Sequence, residues 1–438
     1  MLRQLLFSLC IAAGICSYGF ELIKGTIDRR EIYPGTVRTF TVSVPEGYDG
    51  SSPACLYVGL DGALYNAPTV IDSLISAKRM PVTVGVYFQP GVVKDKNGHT
   101  VRYNRSNEYD AVDGRLAKFI ETELLPAAKS LRTSAGLPVL ISDNPDDHAI
   151  SGASSGGIGA FVTAWQRPDL FRRVFTTCGT FVAMRGGDQL PAIARKTEPL
   201  PLRIFMHDGS RDAWNPLFGH WYEQNRLLAS SLDFAGYDLM TNWDDTGHSI
   251  VPGTRLFPEV MTWLWRDYPA GISAGKSQNN CLSSLLATDS GWQRFTKSSD
   301  ALPFEPLGNS ATYPDSTYQV RVLDGTQWIE AATMGEPQSW QKAYLLHDLT
   351  FTSPDVAGVA FDTDGNLYAA TSSGIQVCDQ NGRVRAILRY PQALTPTAFG
   401  FTRNELWVKM ADGSIWSRSL NATAAPKLRI DVKSQGAS

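Results

Sequence analysis

Residues 148–161 read HAISGASSGGIGAF and join a short apolar run to a helical pattern through the pentapeptide GASSG at 152–156. A serine nucleophile must be pushed out of a sheet on a sharp turn between strand and helix. The backbone there is so crowded that only small residues fit two positions to either side. Gly152 and Gly156 meet this demand around Ser154, and Gly157 adds further room. The sequence therefore predicts a nucleophile elbow with Ser154 at its tip.

Short apolar runs and helical patterns alternate from Phe20 to about Pro269, which is typical of an α/β fold. The predicted strands are Cys55–Leu60, Val82–Phe88, Ala149–Ser151, Arg173–Phe175, Leu202–Met206 and Leu239–Trp243. The predicted helices are Val70–Ala77, Gly114–Leu125 closed by Pro126, Gly156–Trp165, Trp221–Phe234 and Leu256–Trp265. Several strands are almost continuously apolar, as expected of a mostly parallel sheet covered on both faces. Val37–Val44 alternates polar and apolar residues and predicts an antiparallel edge strand.

The pattern changes after Ala270, where a small polar stretch leads into short strands separated by Asp-Gly and Asn-Gly turns. We therefore expect an α/β domain over 20–269, a linker over 270–285 and a smaller all-β domain over 286–438. Residues 359–371 can be laid over 399–410 at a period near forty, with Phe361 over Phe401. Forty residues is the length of one propeller blade, so the all-β domain is predicted to be propeller-like.

The composition excludes one class of partner and the N-terminus predicts export. Forty basic residues against 43 acidic ones leave a net charge of -3, without the basic excess that binding to nucleic acid normally needs. Arg3 precedes the apolar run Leu5–Ile15, which is too short to anchor in a bilayer and predicts a signal peptide over 1–19. No later segment has eighteen uninterrupted apolar residues. We expect a secreted or periplasmic protein with no membrane span in the mature chain.

The cysteine pattern argues against a metal or redox centre. Removal of the signal peptide leaves four scattered cysteines without a C-x-x-C pair, namely Cys55, Cys178, Cys281 and Cys378. This spacing excludes zinc-knuckle and thioredoxin-like sites. Four cysteines allow two disulfides, but Cys55 and Cys178 lie in apolar runs that suit buried free thiols. We predict no cysteine chemistry, no metal and no cofactor.

A serine nucleophile needs a histidine base and an acid that fixes the tautomer of that base, in the chain order serine, acid, histidine. His248 fits best, because DDTGHS follows a predicted strand and precedes the last helix of the first half. His207 and His220 suit structural or substrate-side roles, whereas His347 falls in the other half. The candidate acids follow the strand in LRIFMHDGSRD or stand before His248, and they are Asp212, Asp208, Asp244 and Asp245.

Asp212 is the favoured acid. A carboxylate several residues beyond a strand can swing under the imidazole, whereas Asp208 directly precedes Gly209 and suits closing the turn. Asp244 and Asp245 are more distant alternatives.

The tetrahedral intermediate also needs two backbone N–H donors, each worth roughly 3 kcal/mol of transition-state stabilisation. Ser155 is expected to supply one donor. Gly62 or Ala63, in the LDGALY loop, is expected to supply the other.

These motifs together resemble the esterase D family of α/β-hydrolases, which includes enterochelin, feruloyl and acetylxylan esterases and mycolyltransferases. The resemblance runs from about Ile32 to Pro269. It rests on GASSGG, on LDG at 60–62, RSNEYD at 105–110, ELLP at 123–126 and PDLF at 168–171, on HDGSRDAWNPLFGHW at 207–221 and on TGHS at 246–249. It implies an α/β-hydrolase with Ser154 as nucleophile, His248 as base and Asp212 as acid. The substrate would be a small-molecule or polysaccharide-linked ester, and siderophore lactones and acylated plant polysaccharides are both compatible.

Two further segments of this half have competing interpretations. Trp214, Asn215 and Trp221 are candidates to border the substrate pocket, although aromatic residues in a loop are as often core anchors. Arg105 could form a local ion pair with Glu108 or Asp110 that holds a loop beside the site.

The second half resembles the closing blades of the gluconolactonase and regucalcin family of calcium-dependent propellers, best over 355–388. It departs from that family in two ways. Its length allows four blades at most at roughly forty residues each, and Ala357 stands where the family has a metal-ligating Asp. Asp355, Asp362 and Asp364 lie nearby, but Asp-x-Asp-Gly is usually a turn motif. We therefore predict a shortened, non-catalytic β module.

The predicted function is that of a secreted serine esterase. Acyl transfer to a sugar or lipid alcohol is the first alternative. The others are a carbohydrate- or surface-binding protein with a vestigial hydrolase half, and a metal-dependent lactonase in the C-terminal half. The sequence leaves the oligomeric state open.

Overall fold

The computed structural model describes residues 19–28, 31–287, 291–296, 302–335, 338–349, 355–391 and 394–426. The predicted signal peptide lies outside the described residues except for its last residue, Gly19. Parts of the predicted all-β domain also lie outside them.

The first half alternates strands and helices, as expected. Its strands, in chain order, are β1 (Phe20–Ile27), β2 (Arg38–Pro45), β3 (Cys55–Leu60), β4 (Thr83–Phe88), β5 (Val92–Lys94), β6 (Thr100–Tyr103), β7 (His148–Ala153), β8 (Arg173–Thr177), β9 (Arg203–Arg211), β10 (Trp214–Asn215), β11 (Gly219–His220) and β12 (Asp238–Gly247). Its helices are α1 (Ala67–Ser76), α2 (Arg105–Tyr109), α3 (Arg115–Phe119), α4 (Leu125–Lys129), α5 (Ser155–Gln166), α6 (Leu190–Ala194), α7 (Trp221–Phe234) and α8 (Val251–Leu264). Short 3₁₀ turns cover Leu64–Asn66, Pro145–Asp147 and Gly187–Gln189.

Eight of these strands form one sheet in the order β1-β2-β4-β3-β7-β8-β9-β12. Within this sheet, β4, β3, β7, β8, β9 and β12 each pair in parallel with their neighbours in that order. β1 pairs with β2, and β2 with β4, in the antiparallel direction. The mostly parallel sheet of an α/β domain is therefore confirmed. Parallel neighbours end at the same edge of a sheet, so the loops after β3, β7, β8, β9 and β12 all meet there.

The prediction that Val37–Val44 forms the edge strand was wrong in one respect. The segment is antiparallel, but β2 lies between β1 and β4, and β1 is the edge. An alternating pattern reports which face of a strand is covered, not whether a neighbour lies on each side.

The helix predicted to end at Pro126 continues to Lys129. A π-helical turn over Ile120–Leu124 separates α3 from α4, and Pro126 lies in the first turn of α4. The π turn, in which the Leu125 N–H donates to the Ile120 carbonyl five residues back, accommodates the proline, which has no N–H of its own to donate.

Apolar side chains cover both faces of the sheet. Leu56, Val58 and Ile150 belong to a core cluster that includes the buried side of α5, whereas Tyr57 and Ala149 point into a second cluster with α1 and α8. This alternation explains the continuous apolar runs, because each strand is buried on both faces.

The second half begins with helix α9 (Asn280–Leu285), which lies inside the predicted linker and buries Leu282 and Leu285. Its strands are β13 (Gln293–Arg294), β14 (Ser310–Thr312), β15 (Tyr318–Val322), β16 (Trp328–Thr333), β17 (Gln341–Leu345), β18 (Val359–Phe361), β19 (Leu367–Thr371), β20 (Gly374–Cys378), β21 (Val384–Leu388), β22 (Pro396–Thr402), β23 (Glu405–Met410) and β24 (Ile415–Ser419). They form three four-stranded antiparallel sheets in the orders β13-β24-β23-β22, β14-β15-β16-β17 and β18-β19-β20-β21.

The aligned phenylalanines occupy matching positions in two of these sheets. Phe361 in β18 faces Leu367 in β19, and Phe401 in β22 faces Leu406 in β23. The arrangement of the sheets as a propeller stays a prediction.

Asp362 behaves as a turn residue. Its carboxylate accepts hydrogen bonds from the backbone N–H groups of Asp364 and Asn366, from Asn366 Nδ2 and from the Tyr368 hydroxyl. With its oxygens so occupied, Asp362 has the role expected of an Asp-x-Asp-Gly turn.

The two halves are joined by direct contacts. Thr197 and Ile387 form a parallel β-bridge. The Glu198 carboxylate accepts hydrogen bonds from Nη1 and Nη2 of Arg418 at 2.8 and 2.7 Å. Lys196 Nζ lies 2.8 Å from His347 Nε2. The segment after α6 therefore contacts β21 and β24 of the second half.

The four cysteines of the described chain are free, and Cys281 is less buried than the other three. Among the described helices, none combines the length and the apolar character needed to cross a bilayer.

Candidate active site

Ser154 occupies a strained turn between β7 and α5. Its backbone angles are φ 58° and ψ −124°, a region that residues with a Cβ rarely adopt. A Cβ on Gly152 would lie 2.2 Å from the backbone oxygen of Gly156, so the strand can approach the helix this closely only with glycine at that position. The Ser154 N–H donates to the Thr177 carbonyl at 3.0 Å, which ties the turn to the neighbouring strand.

The structure brings Ser154, His248 and Asp212 together in one hydrogen-bonded chain. The distance from His248 Nε2 to Ser154 Oγ is 2.9 Å, and the distance from His248 Nδ1 to Asp212 Oδ1 is 2.6 Å. Asp212 comes directly after β9 and His248 directly after β12. These strands are parallel neighbours, so residues far apart in sequence reach the same edge of the sheet as the elbow.

The environment of Asp212 indicates which atoms carry protons in the hydrogen-bonded series Ser154–His248–Asp212. Burial alone would raise the pKa of Asp212, but hydrogen bonds with His248 and the Ala213 N–H, together with the neighbouring Asp208 carboxyl group, outweigh burial and lower it. An ionised Asp212 accepts a hydrogen bond from the Nδ1–H group of His248. His248 Nε2 is then left as the acceptor for the Ser154 hydroxyl. The His248 side chain is 37% exposed, whereas that of Asp212 is fully buried.

The other candidate acids have other hydrogen-bond partners than His248. Asp208 is buried and accepts the N–H of Gly209 at 2.8 Å, as expected of a residue that closes the turn. Asp244 instead lies 3.1 Å from Nε2 of the buried His207. Asp245 is exposed beside Arg211. None of these contacts gives Asp244 or Asp245 a place beside His248.

The oxyanion loop needs one correction. The N–H of Gly62 donates to the Phe88 carbonyl at 3.0 Å and cannot also face a reacting oxygen. Gly62 instead has a positive φ of 87° that makes the turn. The N–H groups of Ala63 and Ser155 have no acceptor within the described part of the chain. The geometry therefore favours Ala63 over Gly62 as partner of Ser155.

The pairing expected for Arg105 was wrong. Arg105 binds Asp61 through Nε and Nη2 at 2.8 and 2.7 Å, and Nη2 lies 3.3 Å from the Ala153 carbonyl. Glu108 pairs with the buried Arg38 instead. Arg105 thus links the loop before Ala63 to the residue before Ser154. Sequence proximity suggested Glu108 or Asp110, and nothing local indicated a partner 44 positions away.

Trp221 lies beside the triad, but Trp214 and Asn215 are placed differently. The buried Trp221 ring meets the His248 ring edge-on at a centroid distance of 6.1 Å. Trp214 is 67% exposed. Asn215 Oδ1 accepts the N–H groups of Leu217 and Phe218, so its side chain shapes the loop between β10 and β11.

Thr180 is a site residue that the sequence did not indicate. Trp221 Nε1 donates to Thr180 Oγ1 at 3.2 Å, and Thr180 Oγ1 lies 3.3 Å from Ser154 Oγ. With the Trp221 N–H already bound to its oxygen, the Thr180 hydroxyl can direct its own proton toward Ser154. No motif marks a single threonine after β8, so only the folded chain identifies it.

Cys178 is the remaining group at the site. Its sulfur, an oxygen of Asp212 and a ring nitrogen of His248 lie within 4.8 Å of one another. Burial, followed by the nearby carboxyl groups of Asp212 and Asp208, raises the pKa of the Cys178 thiol to about 12. The sulfur is therefore protonated near neutral pH, and His248 Nδ1 and Asp212 Oδ1 are hydrogen-bonded to each other. We assign no metal to this group.

The comparison with known families agrees with this geometry. Residues 33–229 match the Esterase family. The model of that family is described as "Putative esterase", and the match supports an esterase-like α/β domain and ester hydrolysis. The Esterase match includes Ser154 and Asp212 but ends before His248. No curated protein sequence matches the chain.

Several solved structures are similar to this chain. A ferulic acid esterase has 15% sequence identity and a TM-score of 0.43, covering 57% of this chain and 99% of its own. The enterobactin esterase from Shigella flexneri, in the presence of 2,3-di-hydroxy-N-benzoyl-glycine, has 19% identity and a TM-score of 0.42, covering 56% of this chain and 59% of its own. A mutant feruloyl esterase module from Clostridium thermocellum, complexed with sinapinate, has 11% identity and a TM-score of 0.39, covering 58% of this chain and 91% of its own.

Proposed function

We propose that the protein is a secreted serine esterase that hydrolyses carboxylic esters through an acyl-enzyme on Ser154. The observation that carries the proposal is the continuous hydrogen-bonded chain from Ser154 Oγ through His248 to Asp212. A serine hydroxyl is a weak nucleophile until a base within hydrogen-bonding distance takes its proton. His248 Nε2, at 2.9 Å, is such a base.

In the proposed acylation step, Ser154 Oγ attacks the ester carbonyl while its proton passes to His248 Nε2. The ionised Asp212 stabilises the imidazolium that forms, because its Oδ1 accepts a hydrogen bond from Nδ1–H. The negative charge that develops on the former carbonyl oxygen would be bound by the N–H groups of Ser155 and Ala63. His248 then gives its proton to the leaving alcohol.

Deacylation repeats these steps with water as the nucleophile. His248 removes a proton from water, the hydroxide attacks the acyl carbon, and the acid leaves as Ser154 recovers its proton. This chemistry uses only protein groups and needs no cofactor. Export is part of the proposal because of the apolar run Leu5–Ile15 that follows Arg3.

The same acyl-enzyme could instead pass its acyl group to a sugar or lipid alcohol. Analysis of the products formed with and without added alcohol separates the two reactions. We do not extend the proposal to a lactonase in the C-terminal half, because Ala357 offers no ligand and the oxygens of Asp362 are engaged in its turn.

The test is hydrolysis of a panel of short-acyl and feruloyl esters by the wild type and by Ser154→Ala, together with labelling by a fluorophosphonate probe. We expect the wild type to hydrolyse at least one ester and to be labelled. The Ser154→Ala variant should do neither while keeping its circular dichroism spectrum. An unlabelled wild type, or a variant that hydrolyses the esters as fast as the wild type, would overturn the proposal.

A further inference from the structure

The carboxyl group of Asp212, which contacts the His248 imidazole, has the carboxyl group of Asp208 beside it. Asp208 is fully buried, and its Oδ1 accepts the N–H of Gly209 at 2.8 Å. Asp212 Oδ1 accepts from His248 Nδ1 and from the Ala213 N–H. Asp208 Oδ2 and Asp212 Oδ2 are both buried, and neither has a donor in the part of the chain that the structure describes.

These two oxygen atoms would satisfy each other if one of the two carboxyl groups carried a proton. Asp208 and Asp212 are within hydrogen-bonding reach through their side chains. Two ionised carboxylates in contact would repel each other strongly in a buried site, and a shared proton removes this repulsion. It would also satisfy both oxygen atoms at once, as buried polar groups usually are.

The surroundings decide which carboxyl group keeps the proton. Asp212 has the imidazole of His248 against it, whereas Asp208 is influenced by two acidic groups, Asp212 and Asp244. The Cys178 thiol nearby is uncharged. Burial and then Asp212 raise the pKa of Asp208, while that of Asp212 is lowered.

We propose that Asp208 is a neutral carboxylic acid that donates a hydrogen bond from Oδ2 to Asp212 Oδ2 and so positions the triad acid. Asp208 is a positioning residue, because it acts through Asp212. The proton on Asp208 leaves the pair of Asp208 and Asp212 with a single negative charge. This charge, on Asp212, stabilises the His248 imidazolium. This inference rests on the proposed function of the same site.

Two variants at position 208 distinguish the effect of the hydrogen bond from the effect of side-chain volume. In Asp208→Asn, the amide can donate to Asp212 Oδ2 while its oxygen accepts from Gly209, so kcat/KM should stay within about threefold of wild type. Asp208→Ala removes the donor, and kcat should fall by roughly 10- to 100-fold with little change in KM. The exposed Asp245→Asn is the control for loss of one negative charge nearby.

Infrared spectroscopy reads the proton without relying on activity. Near neutral pH, the difference spectrum between the wild type and Asp208→Asn should contain the C=O band of a protonated carboxyl group that shifts in D₂O. Absence of that band, or an Asp208→Asn variant as slow as Asp208→Ala, would overturn the inference. Failure of the proposed function is recognised separately, because it would appear as an unlabelled Ser154 whatever the spectrum of Asp208.

Discussion

The hydroxyl of Ser154 is placed by two neighbours with opposite roles. His248 Nε2 accepts a hydrogen bond from the hydroxyl of Ser154. Thr180 Oγ1 lies 3.3 Å from Ser154 Oγ. This distance is long for a hydrogen bond between hydroxyl groups, so Thr180 interacts weakly with the neutral serine. Its donation would strengthen as negative charge develops on Ser154 Oγ.

Replacing Thr180 by valine keeps the shape but removes the hydroxyl. We expect kcat/KM to fall roughly 2- to 10-fold, because one neutral hydrogen bond is lost and Trp221 Nε1 loses its acceptor. Steady-state kinetics on an ester that the wild type hydrolyses will measure this. Thr163→Val is the matched control, since Thr163 is equally buried but its hydroxyl has no partner within the described chain. Equal rates for both variants would contradict the role of Thr180.

Asp208 also predicts a pH dependence of stability. Its pKa is raised in the folded protein, so between the ordinary value of about 3.9 and the raised value the folded state binds more protons than the unfolded state. The free energy of unfolding should therefore fall as pH rises through this interval. Asp208→Asn has no proton to lose, so its stability relative to wild type should increase with pH. Urea unfolding at several pH values measures this, and a constant difference would argue against a protonated Asp208.

The elements around the elbow explain why part of the site could be predicted. The triad follows from local pattern, since small residues around Ser154 and loops after parallel strands are visible in sequence. Gly62 was a plausible oxyanion donor because glycine lets the backbone approach a substrate closely. Its N–H instead donates to the Phe88 carbonyl in β4, a contact that forms only in the folded sheet. Arg105 and Thr180 were misjudged or missed for the same reason, because their partners are distant in sequence.

The elements themselves were predicted well where pattern and turn signals agree and less well where they conflict. β3 and α7 have their predicted bounds because apolar pattern and turn residues coincide there. The helix past Pro126 and helix α9 were missed. In the first case the π turn accommodates the proline, and in the second a short amphipathic segment is hidden in a polar stretch.

Gly152 allows the close contact between β7 and α5. In Gly152→Ala the new Cβ would meet the Gly156 carbonyl, which is backbone and cannot rotate away, so we expect a loss of about 3 kcal/mol in the free energy of unfolding. Urea unfolding followed by tryptophan fluorescence gives this value. Gly47→Ala is the control, since its added Cβ meets only Ile75 Cγ2 at 3.8 Å. Similar unfolding midpoints for the two variants would show that the contact is not tight.

At the scale of the whole molecule, the residues of the proposed mechanism differ from those that contact the second half. The second half contacts the first through Lys196, Thr197 and Glu198, and Arg389 reaches the Gln166 carbonyl at the end of α5. None of these residues takes part in the proposed mechanism. The side chains of Glu198 and Arg418 are 17% and 8% exposed. Their paired hydrogen bonds are thus protected from solvent, and loss of one partner would leave the other as a largely buried charge without compensation.

Glu198→Ala removes both hydrogen bonds to the Arg418 guanidinium. We expect a loss of roughly 1–3 kcal/mol in the free energy of unfolding, a lower Tm and faster proteolysis between the two halves, with kcat/KM on a small ester unchanged. Glu330→Ala is the control, because it breaks the Arg321 pair within one sheet of the second half. A drop in kcat/KM at temperatures where the variant remains folded would contradict this separation.

The partly open imidazole of His248 has a consequence for the fate of the acyl group. Bulk water can approach the ring without any part of the chain having to move aside. Water, at its high concentration, should then outcompete a dilute alcohol for the acyl-enzyme, so partitioning should favour the free acid. Measured against increasing methanol, the ratio of methyl ester to acid should rise in proportion to the alcohol and show no saturation.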